Sequence, residues 1–233
     1  MITIALDCDG TVWDCSEEWY DTATEAWKTV EKTNFPMSKK KFKSHIWSIV
    51  RPEHIMQNAK LVERSVKLPD NFGELQKLRS QFDVSRHVDA FYECRTRLMQ
   101  EKEDWLAKHR LYREVRTMFN SLEELDVNNL AVTSKDGAST RELLKYFDIE
   151  KYIEKVYGKE IGSRTDQFRC LLQDYKDHTI IAYDDMPENL EVAKAFGFLP
   201  VAAPQGYSRL SDLSGYVIAS PMEFVEIVME VVK

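Results

Sequence analysis

The chain opens on a short apolar run, ITIALD at residues 2–7, in which β-branched residues lead and Asp7 and then Gly10 stop the pattern. A run of that length with those stops predicts a buried strand. From about Ser16 to Lys108 the apolar positions recur at helical spacing instead. SEEWYDTATEAWKTVEK sets Trp19, Ala23 and Ala26–Trp27 on one face behind an acidic first turn, with Ser16 placed to cap it. HVDAFYECRTRLMQEKEDWLAKH is a second long amphipathic stretch, and NFPMS and LPDNFG break the zone into segments. From about Leu111 the pattern alternates. NNLAVTSK and HTIIAYDD are apolar runs ending in polar residues, and FLPVAA and YVIAS are weaker strand candidates. The intervening ASTRELLKYF, TDQFRCLLQDY and PENLEVAKAFG, and the closing PMEFVEIVMEVV, read as helices, with Gly197 at a C-cap position.

Strands alternating with helices of this length predict an α/β fold: a doubly wound, mostly parallel, Rossmann-like sheet. The first strand is separated from the rest by a helical insertion of about ninety residues. We therefore expect residues 1–15 plus 109–233 to form the sheet core and residues 16–108 to form an all-helical cap.

Composition narrows the function classes. With 43% apolar and 30% charged residues the chain has an ordinary globular make-up. A net charge of -7, from 39 acidic and 32 basic side chains, argues against binding to a nucleic acid backbone. The one dense basic stretch, Lys39-Lys40-Lys41-Phe42-Lys43, reads as a solvated face. All five tryptophans precede residue 106, which fits a packed helical subdomain. The four cysteines and five histidines lack zinc-ligand spacing, so free thiols in a reducing cytoplasm are expected. No apolar stretch is long enough to span a bilayer, and Ile2 already begins the first strand, so neither a membrane nor a leader is expected.

Candidate chemistry lies where the strands stop. In open parallel sheets the functional crevice is beyond the carboxyl ends of the strands. Three predicted strands end there in polar residues: Asp7 with Asp9, Thr133 with Ser134, and Asp184 with Asp185. Four carboxylates converging on one place repel one another unless protons or a cation intervene. A set of oxygen ligands with no His or Cys suits Mg²⁺. One acidic pair alone would be explained as loop capping; two acidic strand ends and a Thr-Ser end in one chain point to a site.

These residues resemble a known family. DCDGTVWD is similar to the DxDGT motif of the haloacid dehalogenase-like hydrolases, LAVTS to their second motif, and IIAYDDMPENLEVAKAFG to the acidic fourth motif in its DDxxxN form. The resemblance covers residues 1–15 and about 111–200, and the insertion lies where the first type of cap domain sits. It implies a Mg²⁺-dependent phosphomonoester hydrolase acting on a small phosphorylated metabolite. Asp7 would be the nucleophile, forming an aspartyl-phosphate, and Asp9 the general acid and then base. Gly10, Thr11, Thr133 and Ser134 would face the phosphoryl group. Asp7, the Asp9 backbone carbonyl and Asp185 would hold Mg²⁺, with Asp184 and Asn189 ordering or completing its shell.

The third motif departs from the family's lysine. GKEIGSRTDQF offers Arg164 at that place, with Lys159 as the alternative. In the cap, Arg51 of IVRPEH is placed to meet an anionic leaving group, although an ordinary surface role is the simpler reading. A phosphomutase or phosphotransferase of the same superfamily would use the same residues. A non-catalytic receiver-like phospho-binding module is disfavoured, because its phosphoacceptor ends a later strand and no long helical insertion follows its first.

Overall fold

The computed structural model of the chain describes residues 1–49 and 51–233. Strand β1 is Ile2–Leu6 and β2 is Trp13–Asp14. Then come helices α1 (Ser16–Glu31), α2 (Lys39–Ser44), α3 (Pro52–Glu63), α4 (Phe72–Arg79), α5 (Ser85–Gln100) and α6 (Lys102–Ala107). They are followed by β3 (Arg110–Leu111), α7 (Val115–Glu123), β4 (Asn128–Val132), α8 (Gly137–Tyr146), β5 (Lys155–Tyr157) and α9 (Arg164–Asp174). The chain closes with β6 (Thr179–Asp184), α10 (Pro187–Ala195), β7 (Leu199–Ala202), β8 (Val217–Ile218) and α11 (Pro221–Val232). Two compact units result: Met1–Asp14 with Arg110–Lys233, and Cys15–His109.

In the first unit six strands form one sheet in the order β5-β4-β1-β6-β7-β8, with every pairing parallel. The chain winds outward from β1 through β4 to β5, then crosses back to lay β6, β7 and β8 on the other side of β1. That reversal sets the carboxyl ends of β4, β1 and β6 next to each other, where a crevice is expected. All five residues of β1 are buried, and so are the last five of β6, as a sheet covered on both faces requires. Val132, Ala182 and Tyr157 pack with Phe168, Leu171 and Phe198 on one side of the sheet. Gly197 adopts φ +78 just past α10, in the left-handed conformation that suits glycine after a helix.

Some elements differ from expectation. Strand β5 and the two-residue ribbon pairing Trp13 with Leu111 and Asp14 with Arg110 are too short to leave an alternating pattern in the sequence. Helix α1 already includes Ser16, and Cys15 holds the cap position without a side-chain capping hydrogen bond, because the chain turns into the helix directly from β2. The long second amphipathic stretch is two helices, since Glu101 leaves helical geometry at φ -87, ψ 67.

The second unit is helical. Trp27, Phe42, Ile55, Met56, Leu75 and Phe91 form its buried centre, drawn from α1 to α5. Lys39 and Lys43 of the basic run pair with Glu17, in keeping with a solvated face. Val50, inside the IVRPEH break, lies outside the described residues. No helix among the described residues is long and apolar enough to cross a membrane.

Candidate active site

Asp7 is the first residue beyond β1, and its N–H donates to the Tyr183 carbonyl at 2.9 Å, which locks it to β6. The residue is only 6% exposed. Arg164 NH2 donates to Asp7 Oδ1 at 2.6 Å and lies 3.5 Å from Asp184 Oδ2. The guanidinium is fixed from behind by the Val132 carbonyl and lies over the Phe168 ring. Arg164 can reach inward because it is the first residue of α9, whose start is set by a capping box between Ser163 and Asp166. Lys159, the alternative, is exposed in a short 3₁₀ turn at Lys159–Ile161. Its backbone N–H serves the Lys135 carbonyl. Of the two candidates, Arg164 is the one brought to Asp7.

Asp9 is held through both oxygens. Trp13 Nε1 donates to Oδ1 at 2.6 Å, and Lys135 Nζ lies 3.2 Å from Oδ2. The loop between them is tight: the N–H groups of Val12 and Trp13 donate to the Cys8 carbonyl at 2.9 and 3.1 Å, and Gly10 N–H donates to the Trp13 carbonyl at 2.8 Å. Gly10 has φ +98, and a Cβ there would come within 2.5 Å of Asp185 Oδ2. The glycine is thus required twice, for its backbone conformation and for the space its neighbour occupies.

Thr133 continues β4, and its N–H donates to the Tyr157 carbonyl at 3.0 Å. Its hydroxyl accepts from Lys135 N–H at 3.0 Å, while Ser134 is exposed at the turn. Lys135 and Gln167 were not anticipated. Lys135 follows the second motif directly and its side chain is 1% exposed; a lysine closing an apolar strand end was the available signal. Gln167 Nε2 ties Thr133 to the Gly158 carbonyl at 2.7 and 3.0 Å, and nothing in the local sequence marks it.

The acidic end of β6 completes the site. Asp184 accepts from Met186 N–H at 2.8 Å and from Asn189 Nδ2 at 3.1 and 3.0 Å. Asp185 is fully buried and accepts from Thr11 Oγ1 at 3.3 Å and Tyr207 N–H at 2.6 Å. The Thr11 hydroxyl therefore serves a carboxylate here. Gly206 leaves Asp185 its space, for a Cβ there would collide with that side chain.

Asp7, Asp184 and Asp185 each offer a carboxylate oxygen, all within 4.8 Å of one another. Burial and the neighbouring Asp184 push the Asp7 carboxyl well above the usual carboxylate range, against the pull of Arg164. Burial and Asp184 likewise push Asp185 up to about 8. Burial raises Asp184 as well, with Arg164 opposing. Three buried carboxylates facing one guanidinium hold more negative charge than the protein neutralises. With oxygen donors only, the set fits Mg²⁺ in ligand type and in charge.

The haloacid dehalogenase-like hydrolase family model matches residues 1–197, and the chain belongs to that family of hydrolases. Among solved structures it is similar over 97% of both chains to a predicted phosphoglycolate phosphatase from Haemophilus somnus 129pt, with a TM-score of 0.71 and 14% identity. It is also similar to the β-phosphoglucomutase of the archaeon Pyrococcus sp. strain ST 04, at 15% identity and a TM-score of 0.57, over 87% of this chain and 86% of that one. Both likenesses are of fold. A glucose-6-phosphate isomerase from Alkaliphilus metalliredigens is 34% identical over 95 residues, which is 37% of this chain and 21% of the isomerase. The chain thus spans about a fifth of the length of the curated relatives it matches.

Proposed function

We propose that the chain is a Mg²⁺-dependent phosphomonoester hydrolase that acts on a small phosphorylated metabolite in the cytoplasm through an aspartyl-phosphate on Asp7. The observation that carries this reading is the environment of Asp7, a buried carboxylate with Arg164 2.6 Å from Oδ1 and two further carboxylates grouped around it. Asp7, Asp184, Asp185 and the Asp9 backbone carbonyl would hold the ion, and Asn189 orients Asp184. Bound there, Mg²⁺ supplies positive charge to the carboxylates and to the phosphoryl oxygens.

The chain's own residues divide the remaining work. An Asp7 oxygen attacks phosphorus, the bond from phosphorus to the ester oxygen breaks, and Asp9 delivers a proton to the departing alkoxide. Asp9 then takes a proton from water as that water attacks the same phosphorus, which releases phosphate and restores the Asp7 carboxylate. Trp13 and Lys135 keep Asp9 aimed through both steps. Arg164 draws the equatorial oxygens toward the N-terminus of α9, where backbone N–H groups add partial positive charge. The Gly10 N–H is committed to the Trp13 carbonyl, so the phosphoryl donors here are Arg164 and the loop after Thr133, including Ser134. We assign the helical unit, Cys15–His109, the part of the cap domain that the sequence resemblance implies.

The test is phosphate release from an aryl phosphate and from a panel of phosphorylated carboxylates and sugar phosphates. The expected result is turnover that requires Mg²⁺ and stops on chelation. Full activity in the presence of excess chelator would contradict the metal assignment. Movement of the phosphoryl group from one hydroxyl of a sugar phosphate to another without free phosphate would identify a phosphomutase.

A further inference from the structure

Helices α3 and α4 of the helical unit flank a cavity of about 260 Å³ whose lining includes Arg51, His54, Gln57, Gln76, Arg79 and Ser80. Arg79 is its most unusual member. The residue is 1% exposed, with Nε donating to Asn58 Oδ1 at 2.9 Å and NH2 donating to the Ser48 carbonyl and hydroxyl, both at 2.8 Å. Its remaining nitrogen, NH1, has no hydrogen-bond partner. Every acceptor it has is neutral, and no carboxylate among the described residues is paired with it. A buried guanidinium without a counter-charge is costly, and so is a buried N–H group left unmade.

The surroundings carry the same sign. Arg51, at the N-cap of α3, brings a second guanidinium to the lining and is exposed. His54, one turn further on, is 6% exposed and is pushed down to about 4 by burial and by the positive charges of Arg79 and Arg51. It is therefore neutral at physiological pH, and it faces a positive field. Glu53 is the one carboxylate among the lining residues, so the two guanidinium groups outnumber it.

We propose that this cavity is a binding site for a small oxyanion, the carboxylate or phosphate group of a metabolite, with Arg79 NH1 as its inner donor and Arg51 at its mouth. The free N–H groups of Arg79 NH1 can donate to one oxygen of either group, and the exposed Arg51 guanidinium can add its fork to the paired oxygens. The volume lies below the usual range for drug-sized ligands, which limits the occupant to a small anion or to the charged end of a larger molecule. The amide of Gln76 supplies a further donor at the exposed side, whereas the Ser80 hydroxyl donates to the Lys77 carbonyl at 2.9 Å. The inference does not rest on the phosphatase reading, since it uses no residue of the sheet unit.

The experiment is an NMR titration of the full-length, Mg²⁺-free protein, with its histidine rings labelled and ionic strength held constant. The probes are inorganic phosphate and, separately, malonate, and a His54→Gln variant assigns the His54 signal. The expected result is a saturable shift of the His54 ring while His45, His87, His109 and His178 stay in place. A response to phosphate alone assigns a phosphate group, and a response to malonate alone a carboxylate. Arg51→Ala should weaken the apparent affinity about tenfold, the scale of one lost charge-assisted hydrogen bond. Arg79→Lys, which keeps the charge and loses the free NH1 donor, should weaken it at least as much. Arg51 is exposed, so its variant decides the matter even if Arg79→Lys fails to fold. No saturable His54 shift with either anion, or equal affinity in wild type and Arg51→Ala, would overturn the proposal.

Discussion

At the carboxyl ends of the strands Asp7, Asp184 and Asp185 share one facing guanidinium, Arg164, whereas in the helical unit Arg79 is buried among Asn58 and Ser48 with no carboxylate partner. Both places remove charge from water, and each leaves an excess of one sign. In the sheet unit the excess is negative and rigidly framed: Thr11, Tyr207 N–H, Met186 N–H and Asn189 each hold a carboxylate oxygen. In the helical unit the excess is positive and held by neutral acceptors. The contrast teaches that an unbalanced buried charge, once its orientation is fixed, specifies the sign of what binds there.

The largest expected effect is on the acidic side. Asp9→Asn keeps the backbone carbonyl and the shape but loses the transferable proton, so turnover of an alkyl phosphate should fall by about 10²–10⁴, the range for general acid–base catalysis. Steady-state kinetics with saturating Mg²⁺ measure it, and an unchanged rate would remove Asp9 from the proton-transfer role.

Next is the cation of the acidic side. Arg164→Ala should cost on the order of 10²–10³ in turnover, by analogy with loss of one transition-state donor. Arg164→Lys should retain part of the rate, and Lys159→Ala, an exposed change, should cost far less. The reverse ranking would assign the third motif to Lys159. Lys135→Met should cost less than Arg164→Ala, about tenfold, because Lys135 holds Asp9 while Trp13 still aims it.

The smallest effect, on stability, has opposite signs in the two regions. Asp185 titrates near 8 in the folded, metal-free protein and near 3.9 when unfolded. Its folded form binds the proton more tightly, so its contribution is complete at low pH and is lost as pH rises through about 8. Mg²⁺ should therefore raise the unfolding temperature more at pH 8.5 than at pH 6, with each kcal/mol worth about 2–4 °C. His54 runs the other way: lowered to about 4 from an unfolded value near 6.5, it stabilises above 6.5 and loses that contribution as pH falls toward 4. Site-resolved hydrogen exchange across pH 5–9, with and without Mg²⁺, separates the two trends. A uniform pH response in both units would erase the contrast.

The two regions also differed in how far they could be read from sequence. Asp7, Asp9, Thr133, Asp184 and Asp185 stand at the ends of apolar runs, where a change from apolar to acidic residues marks both the strand end and the chemistry. Arg164 was legible through the resemblance of GSRTDQF to the third motif, with Lys159 as the alternative. Lys135, Gln167 and Tyr207 act through contacts between distant loops, and those follow from strand order, which residue patterning does not encode. Arg79 was wholly hidden. It ends an amphipathic helix as an ordinary basic residue would, and only the packing of Ser48 and Asn58 around it makes it buried and unbalanced.

The central claim is that Asp7 carries the phosphoryl group, and chemical trapping tests it most directly. The protein is quenched during turnover of a reactive phosphate ester with Mg²⁺ present, treated with borohydride, which reduces an acyl phosphate to the alcohol, and then mapped by peptide mass spectrometry. The account predicts that the peptide containing Asp7 carries homoserine at that position, at a level that rises in Asp9→Asn, where breakdown of the intermediate is slowed. Modification at another side chain, or none at Asp7 in an enzyme that is demonstrably turning over, would contradict it.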